Sequence, residues 1–175
     1  MEKLFYANSH TFPSSEDALK HVLTYYYDCP SAKIVKNEHG KPFVLNTEEK
    51  LFVSVSHTNR ALFIAVSTEN VGLDAEPIDR NPDFEPILKR FPVEERTEIQ
   101  NTEDFLRHWT VKESAVKWLG GTLARDLKKL SFVKNELKYD GLTIPVCITE
   151  KIVAGHIVTV CSERDFQNAE IVELL

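Results

Sequence analysis

The stretch VGLDAEP, residues 71–77, alternates like a β-strand and carries two carboxylates. Side chains of an extended chain point alternately to its two faces, so three apolar side chains are expected to face a core: Val71, Leu73 and Ala75. Asp74 and Glu76 then share the opposite face, about 7 Å apart along the strand. Like charges at this spacing repel each other unless water, a cation or a basic group lies between them. Two interpretations remain open: a half-buried strand with a solvated polar face, or half of a divalent metal site.

The composition is that of an ordinary globular protein, with 175 residues, 42% hydrophobic and 27% charged. No apolar run approaches the roughly 18 residues of a membrane span, and the N-terminus has no secretory pattern. The three cysteines are widely spaced without a CxxC pair, which favours a reducing cytoplasm and argues against a disulfide framework. The net charge of −6 argues against a nucleic-acid partner.

Strands and helices are expected in both halves of the chain. Residues 51–56 and 61–67 have the pattern of strands, and with residues 71–76 they predict a three-stranded meander. The polar turn 57–60 would then lie near the carboxylate face. A helix is expected to start within Pro13-Ser14-Ser15-Glu16-Asp17, with a serine as its N-cap. The alternating segments after residue 130 predict further strands, with a hairpin turn at Asp140-Gly141.

The central part of the chain is expected to be helical. Two short helices, 84–91 and 92–100, are separated at Pro92. A longer helix then starts at the N-cap Asn101 and ends at Gly120-Gly121. Trp109 falls on its apolar stripe and is interpreted as a core residue. The whole pattern is typical of an α+β protein.

Glu113 and Lys117 are four residues apart on this helix, so they lie on one face. An exposed Glu–Lys pair, worth a few tenths of a kcal/mol, accounts for these two residues alone. It does not account for a third carboxylate and a lysine accompanying Asp74 and Glu76. Three carboxylates suit Mg²⁺, and a nearby lysine can hold a phosphate as a point charge.

Four segments in order strengthen this interpretation: GKP (40–42), SVSHT (54–58), GLDAE (72–76) and WTVKESAVK (109–117). Together with FPVEER at 91–96, they resemble the motifs of the 4′-phosphopantetheinyl transferase superfamily, in the order and spacing of its Sfp-type class. The resemblance covers about half of the chain. It implies Mg²⁺-dependent transfer of 4′-phosphopantetheine from coenzyme A to a serine of an acyl, peptidyl or aryl carrier protein, with release of adenosine 3′,5′-bisphosphate.

The resemblance also implies roles for individual residues. Asp74, Glu76 and Glu113 would hold Mg²⁺ against the pyrophosphate. Lys117 would neutralise the phosphate under attack, and Glu113 would also act as the base for the incoming serine. Contacts to coenzyme A are expected from seven residues: Gly40, Lys41, Pro42, Ser56, His57, Lys112 and Lys117. For Lys112 a phosphate contact and a role in local structure both remain open.

The same resemblance implies a pseudo-twofold pair of α+β halves, each a small antiparallel sheet with a packed helix, in one two-lobed monomer. Residues 1–76 would form the half with the nucleotide-binding motifs and the first metal strand, and residues 77–175 the half with the metal and phosphate helix. Two further groups have open interpretations. Arg125, Lys128 and Lys129 would receive an acidic carrier protein or form a plain solvated surface. The candidates for gripping the coenzyme 3′-phosphate are Lys20, His21 and Lys33.

Two alternative functions remain open from the residues. A Mg²⁺-dependent phosphohydrolase with the same three carboxylates would act on a nucleotide or coenzyme without a carrier acceptor. A non-catalytic protein that binds coenzyme A would bind the nucleotide without turnover.

Overall fold

The computed structural model describes residues 2–175. Its strands are β1 (Lys3–Asn8), β2 (Lys33–Lys36), β3 (Pro42–Leu45), β4 (Phe52–His57), β5 (Ala61–Ser67), β6 (Val71–Pro77), β7 (Leu130–Val133), β8 (Glu136–Tyr139), β9 (Leu142–Thr143), β10 (Cys147–Val153), β11 (His156–Ser162) and β12 (Glu170–Glu173). Its helices are α1 (Ser15–Tyr26), α2 (Glu85–Leu88), α3 (Val93–Arg96), α4 (Thr102–Leu119) and α5 (Leu123–Asp126). None of the helices between residues 2 and 175 is long and apolar enough to cross a membrane.

The first main sheet has the strand order β12-β1-β5-β4, and α1 packs on it. The Ser14 side chain accepts the backbone N–H of Asp17 at 3.1 Å, so the predicted serine cap is confirmed, and Ser14 rather than Ser15 provides it. The buried face of α1 contributes four apolar residues to the core of this half: Ala18, Leu19, Val22 and Leu23. Burial of this amphipathic face, rather than the helix propensity of a short segment, is what stabilises α1.

The second main sheet has the order β10-β11-β6, and α4 crosses one of its faces. The N-cap at Asn101 accepts the N–H of Asp104 at 2.9 Å, and Gly120 ends the helix with φ of 65°. Both predicted ends of α4 are therefore confirmed. Inside the interface, the hydroxyls of Thr110 and Thr159 lie 2.8 Å apart. The predicted α+β fold, with small antiparallel sheets that each carry a packed helix, is confirmed.

The predicted meander over residues 51–76 is wrong in its third strand. β4 and β5 pair antiparallel as expected, but β6 pairs with β11. The reason is that β5 already pairs with β1 on one edge and with β4 on the other, so it has no free edge for β6. β6 instead packs face to face on β5, and its apolar side chains enter a core shared by the two sheets.

The two sheets also exchange chain segments. β6 hydrogen-bonds into the second sheet, and β12, from the end of the chain, pairs in parallel with β1 of the first. The division of the chain at residues 76 and 77 and the pseudo-twofold relation of the halves stay predictions. The pattern did not predict β1 or β12, whereas the hairpin at Asp140-Gly141 is confirmed, with φ of 48° and 81°.

Candidate active site

A cavity of about 660 Å³ lies where the ends of β4 and β6 meet the middle of α4. Its lining includes all three predicted metal ligands and the predicted phosphate lysine: Asp74, Glu76, Glu113 and Lys117. The turn after β4 supplies a further wall, which begins at Ser56 and His57. The expected proximity of this turn to the carboxylates is therefore confirmed.

Gly72 allows β6 to lie directly against α4. A Cβ at this position would come within 1.9 Å of the Ser114 carbonyl oxygen and 2.4 Å of the Trp118 backbone nitrogen. Both atoms belong to the helix backbone, which cannot move aside like a flexible side chain. The missing side chain therefore sets the distance between strand and helix, and with it the distance between the carboxylates of β6 and Glu113.

Asp74 is held through one of its two carboxylate oxygens. Oδ1 accepts a hydrogen bond from Ser56 Oγ at 2.9 Å and another from Lys117 Nζ at 2.8 Å. The side chain of Asp74 is only 7% exposed, so the solvated polar face is the wrong interpretation for this residue. Oδ2 is buried, and no hydrogen-bond partner for it exists in the described part of the chain. A buried oxygen without a protein partner is costly, and a water molecule or a bound cation would satisfy it.

Glu76 is paired with a basic side chain that the sequence analysis did not identify. The Arg80 guanidinium donates to Glu76 Oε1 at the rim of the cavity. Arg60 Nη1, which lines the same cavity, donates to both carboxylate oxygens of Asp79, at 2.7 and 2.9 Å. The four-residue spacing of Glu76 and Arg80 was visible in the sequence, but the pattern gave no reason to connect them outside a helix.

Glu113 is the carboxylate with the most perturbed acidity. Burial raises its pKa to about 7, and the nearby charges of Asp74 and Glu76 act in the same direction. Lys117 and Arg80 act in the opposite direction, but burial dominates. The Lys117 ammonium bonds to Asp74. Glu113 therefore exchanges a proton near neutral pH, which is the property of a general acid or base.

His57 is exposed and lines the main cavity. It also borders a neighbouring cavity of about 210 Å³, whose lining includes Gly40 and Pro42. The two cavities share His57 and Val55, so they adjoin each other. Five of the seven predicted coenzyme contacts thus line one connected concave surface: Gly40, Pro42, Ser56, His57 and Lys117.

Lys41 is turned away from this surface. Its Nζ donates to Asn70 Oδ1 at 2.7 Å and to the Trp118 carbonyl oxygen at 3.2 Å. Burial lowers the pKa of Lys41 to about 8. These bonds fasten the loop before β3 to the turn before β6 and to the C-terminal end of α4. Its predicted contact with coenzyme A stays a prediction.

Lys112 belongs to α4, and its side chain is fully buried. Its Nζ donates to Glu95 Oε2 at 2.7 Å and to the Leu130 carbonyl oxygen at 2.5 Å, and burial lowers its pKa while Glu95 acts in the opposite direction. Glu95 Oε1 also lies 3.0 Å from His108 Nδ1. Of the two open roles for Lys112, this geometry favours local structure, because the ammonium has protein partners in a site closed to solvent.

The remaining residues of interest occupy the outer surface or the core. Trp109 is partly buried and stacks on Phe105 with ring centroids 5.9 Å apart, as expected for a core residue. Arg125 bonds to the buried carboxylate of Asp126, and Lys20 pairs with Glu16 on α1. Their proposed contacts with a carrier or a 3′-phosphate stay predictions.

The sequence analysis missed the second role of the SVS segment. Ser54 Oγ accepts the N–H of Leu73 at 2.9 Å, and Ser56 Oγ accepts the N–H of Ala75 at 3.2 Å. The signal was the i, i+2 spacing of two small hydroxyl residues in a strand. That spacing places both on one face, but it does not reveal which strand that face meets.

Among residues 2–175, no group of three or more His, Cys, Asp or Glu side chains forms a ready metal-binding cluster. The two carboxylates of β6 are paired with the chain's own Lys117 and Arg80. The oxygen donor set and the unpartnered Asp74 Oδ2 nevertheless fit a hard divalent cation.

Fold and cavity together define a class of protein: an α+β protein whose cleft joins three carboxylates to basic side chains suited to phosphate chemistry. The model of the 4′-phosphopantetheinyl transferase superfamily matches residues 70–161, more than half of the chain. The chain belongs to this superfamily.

Three relatives carry the same name. The chain is 31% identical over 111 residues to the 4′-phosphopantetheinyl transferase of Bacillus subtilis, covering 59% of this chain and 47% of the relative. It is 30% identical over 107 residues to the 4′-phosphopantetheinyl transferase gsp of Aneurinibacillus migulanus, covering 58% and 44%. With the 4′-phosphopantetheinyl transferase HetI of a Nostoc strain it shares 27% over 135 residues, covering 69% and 57%. The chain thus spans about half the length of the curated relatives it matches.

Proposed function

We propose that this protein transfers the 4′-phosphopantetheine arm of coenzyme A to a serine hydroxyl of a carrier protein, with release of adenosine 3′,5′-bisphosphate. The observation that carries the proposal is the convergence of three carboxylates and Lys117 on one cavity. Family membership and the names of the relatives support it. Because the chain spans about half of those relatives, the complete activity is proposed for this chain rather than taken over from them.

Mg²⁺ is the proposed cofactor, with Asp74, Glu76 and Glu113 as its protein ligands. Carboxylate oxygens are what Mg²⁺ prefers, and it commonly completes its octahedron with water and substrate phosphates. The buried Asp74 Oδ2 supports this assignment, since a cation would supply the missing partner. When bound, Mg²⁺ neutralises charge on the pyrophosphate of coenzyme A.

Glu113 is the proposed base. The serine oxygen forms a bond to the phosphorus of the phosphopantetheine arm, the bond from that phosphorus to the departing adenosine bisphosphate breaks, and the serine proton passes to Glu113. Burial raises the pKa of Glu113 to about 7 in the metal-free protein, which makes it a stronger base than a carboxylate of ordinary acidity, whereas a bound cation would lower that pKa. Lys117 lies within reach of the same cavity and would carry positive charge to the phosphate under attack.

Coenzyme A would lie along the connected concave surface. His57 is the polar residue of the two shared by both cavities, which supports a contact with the pyrophosphate or the 3′-phosphate. Gly40 and Pro42 border the smaller cavity, which supports a place there for the nucleotide end. Lys41 would then act indirectly, by holding their loop against α4.

An acyl, peptidyl or aryl carrier protein is the proposed second substrate, with Arg125, Lys128 and Lys129 as candidates for docking its acidic surface. We propose that the protein works as a monomer in the cytoplasm. The absence of a CxxC pair and the wide spacing of its three cysteines support a reducing compartment.

The test is the intact mass of several apo carrier proteins after incubation with this protein, coenzyme A and Mg²⁺. The expected result is a gain equal to one phosphopantetheine arm, abolished by EDTA and by Glu76→Ala. Glu163→Ala, at an exposed position outside the cavity lining, is the matched control and should retain activity.

The other outcomes identify the alternatives. Consumption of coenzyme A without modification of any carrier would indicate a phosphohydrolase. Binding of coenzyme A without turnover would indicate a non-catalytic binding protein.

A further inference from the structure

Two serines of β4 hold the neighbouring strand β6 in the same way. Ser54 Oγ accepts the N–H of Leu73, and Ser56 Oγ accepts the N–H of Ala75. Both serines are nearly fully buried, at 2% and 5% exposure. Their hydroxyls satisfy two backbone donors of β6 that have no strand partner, which would otherwise be left unpaired in the interior.

Only one of the two serines also touches a carboxylate. The Ser56 hydroxyl donates to Asp74 Oδ1 at 2.9 Å, while Ser54 has no carboxylate partner within residues 2–175. A hydroxyl has a single proton to donate. The Ser56 hydroxyl donates that proton to Asp74 and accepts the Ala75 N–H with a lone pair. The same arrangement, a serine hydroxyl of β4 that accepts a backbone N–H of β6, therefore occurs twice and is called the clamp below. Only the clamp at Ser56 also contacts the site.

The two carboxylate oxygens of Asp74 differ in their contacts. Ser56 and Lys117 both occupy Oδ1. Oδ2 is buried and has no partner in the described residues. Because the Ser56 hydroxyl is itself fixed by the backbone of β6, the hydrogen bond restricts rotation of the carboxylate about its own axis.

We propose that Ser56 is a positioning residue, which orients Asp74 so that Oδ2 is available to a divalent cation. This differs from the coenzyme contact that the family resemblance implies for Ser56, since the hydroxyl acts through Asp74. The inference rests on the metal site of the proposed function. Groups that hydrogen-bond to metal ligands fix their orientation, and their loss commonly weakens metal binding about 10- to 100-fold.

The test compares Ser56→Ala with Ser54→Ala by calorimetric titration of the metal-free full chain with MgCl₂ at pH 8, together with thermal unfolding. Both variants lose one backbone hydrogen bond to β6, so both should lower the melting temperature, and Ser56→Ala also loses the bond to Asp74. Only Ser56→Ala should weaken Mg²⁺ binding, by about tenfold or more. Ser56→Thr retains the hydroxyl and should bind Mg²⁺ with nearly the affinity of the unmodified protein.

Equal Mg²⁺ affinities for the two alanine variants would overturn the proposal, as would a loss of affinity in Ser56→Thr as large as that in Ser56→Ala. If an alanine variant does not fold, Ser56→Cys and Ser54→Cys replace the pair, because a thiol is a weak donor. Failure of the unmodified protein to bind Mg²⁺ would overturn both this inference and the proposed metal site. Mg²⁺ binding that depends on Ser56, without modification of any carrier, would support the inference and refute only the transfer reaction.

Discussion

Glu113→Gln should make the protein more stable at alkaline pH. The folded protein holds Glu113 with a pKa of about 7, against an ordinary value of 4.5 for glutamate. Between these two values the folded state binds a proton that the unfolded state releases, so stability falls as the pH rises through this window. Glutamine has nearly the same shape but no charge, so it removes this loss.

The size of the effect follows from the pKa. Each pKa unit corresponds to about 1.4 kcal/mol, so ionised Glu113 costs roughly 3 kcal/mol above pH 7. At pH 5 most of that cost is absent. Glu113 keeps some exposure to solvent, which screens the interaction, so we expect a difference of roughly 2 kcal/mol between pH 5 and pH 8.

Urea unfolding with EDTA present, at pH 5 and at pH 8, measures this difference. The free energy of unfolding of Glu113→Gln minus that of the unmodified protein should be larger at pH 8 by roughly 2 kcal/mol. Glu163→Gln, at an exposed position, controls for the loss of one negative charge and should show no such difference. The reasoning would be refuted by a Glu113→Gln effect that is the same at both pH values, or by lower stability of this variant at pH 8.

Three further predictions test the frame around the site. Gly72→Ala should lower the free energy of unfolding in urea by about 1–3 kcal/mol or more, because the added Cβ meets the backbone of α4. An unchanged urea midpoint would contradict that close packing. Lys112→Met should cost about 3–5 kcal/mol in the same assay, since it leaves Glu95 buried without its ammonium partner. The double variant Lys112→Met/Glu95→Gln should recover part of this loss, and a single variant as stable as the unmodified protein would contradict the buried pair. Arg80→Gln should tighten Mg²⁺ binding in calorimetry up to about fivefold, because Arg80 competes for Glu76; weaker binding would show that Arg80 supports the cation instead.

The sequence alone determined the elements that depend on local signals. Asn101 and Gly120 delimit α4 because a capping side chain and a positive φ act within a few residues. The alternation in β6 correctly predicted which side chains enter the core, since that depends only on the two-residue period of a strand. The family resemblance of four motifs also implied that three carboxylates and Lys117 act together, and the four side chains line one cavity.

The tertiary structure decided which partners these elements meet. β6 pairs with β11 because both edges of β5 are occupied, a competition that no local pattern records. The Lys112 ammonium can be buried because the Glu95 carboxylate accepts a hydrogen bond from it. The two residues are 17 positions apart in the sequence, so no local pattern predicts this pair. The pKa of Glu113 depends on burial and on charges brought from another strand. Periodicity and capping act between neighbours in the chain, whereas strand edges, desolvation and charge pairing depend on distances that exist only after the chain has folded.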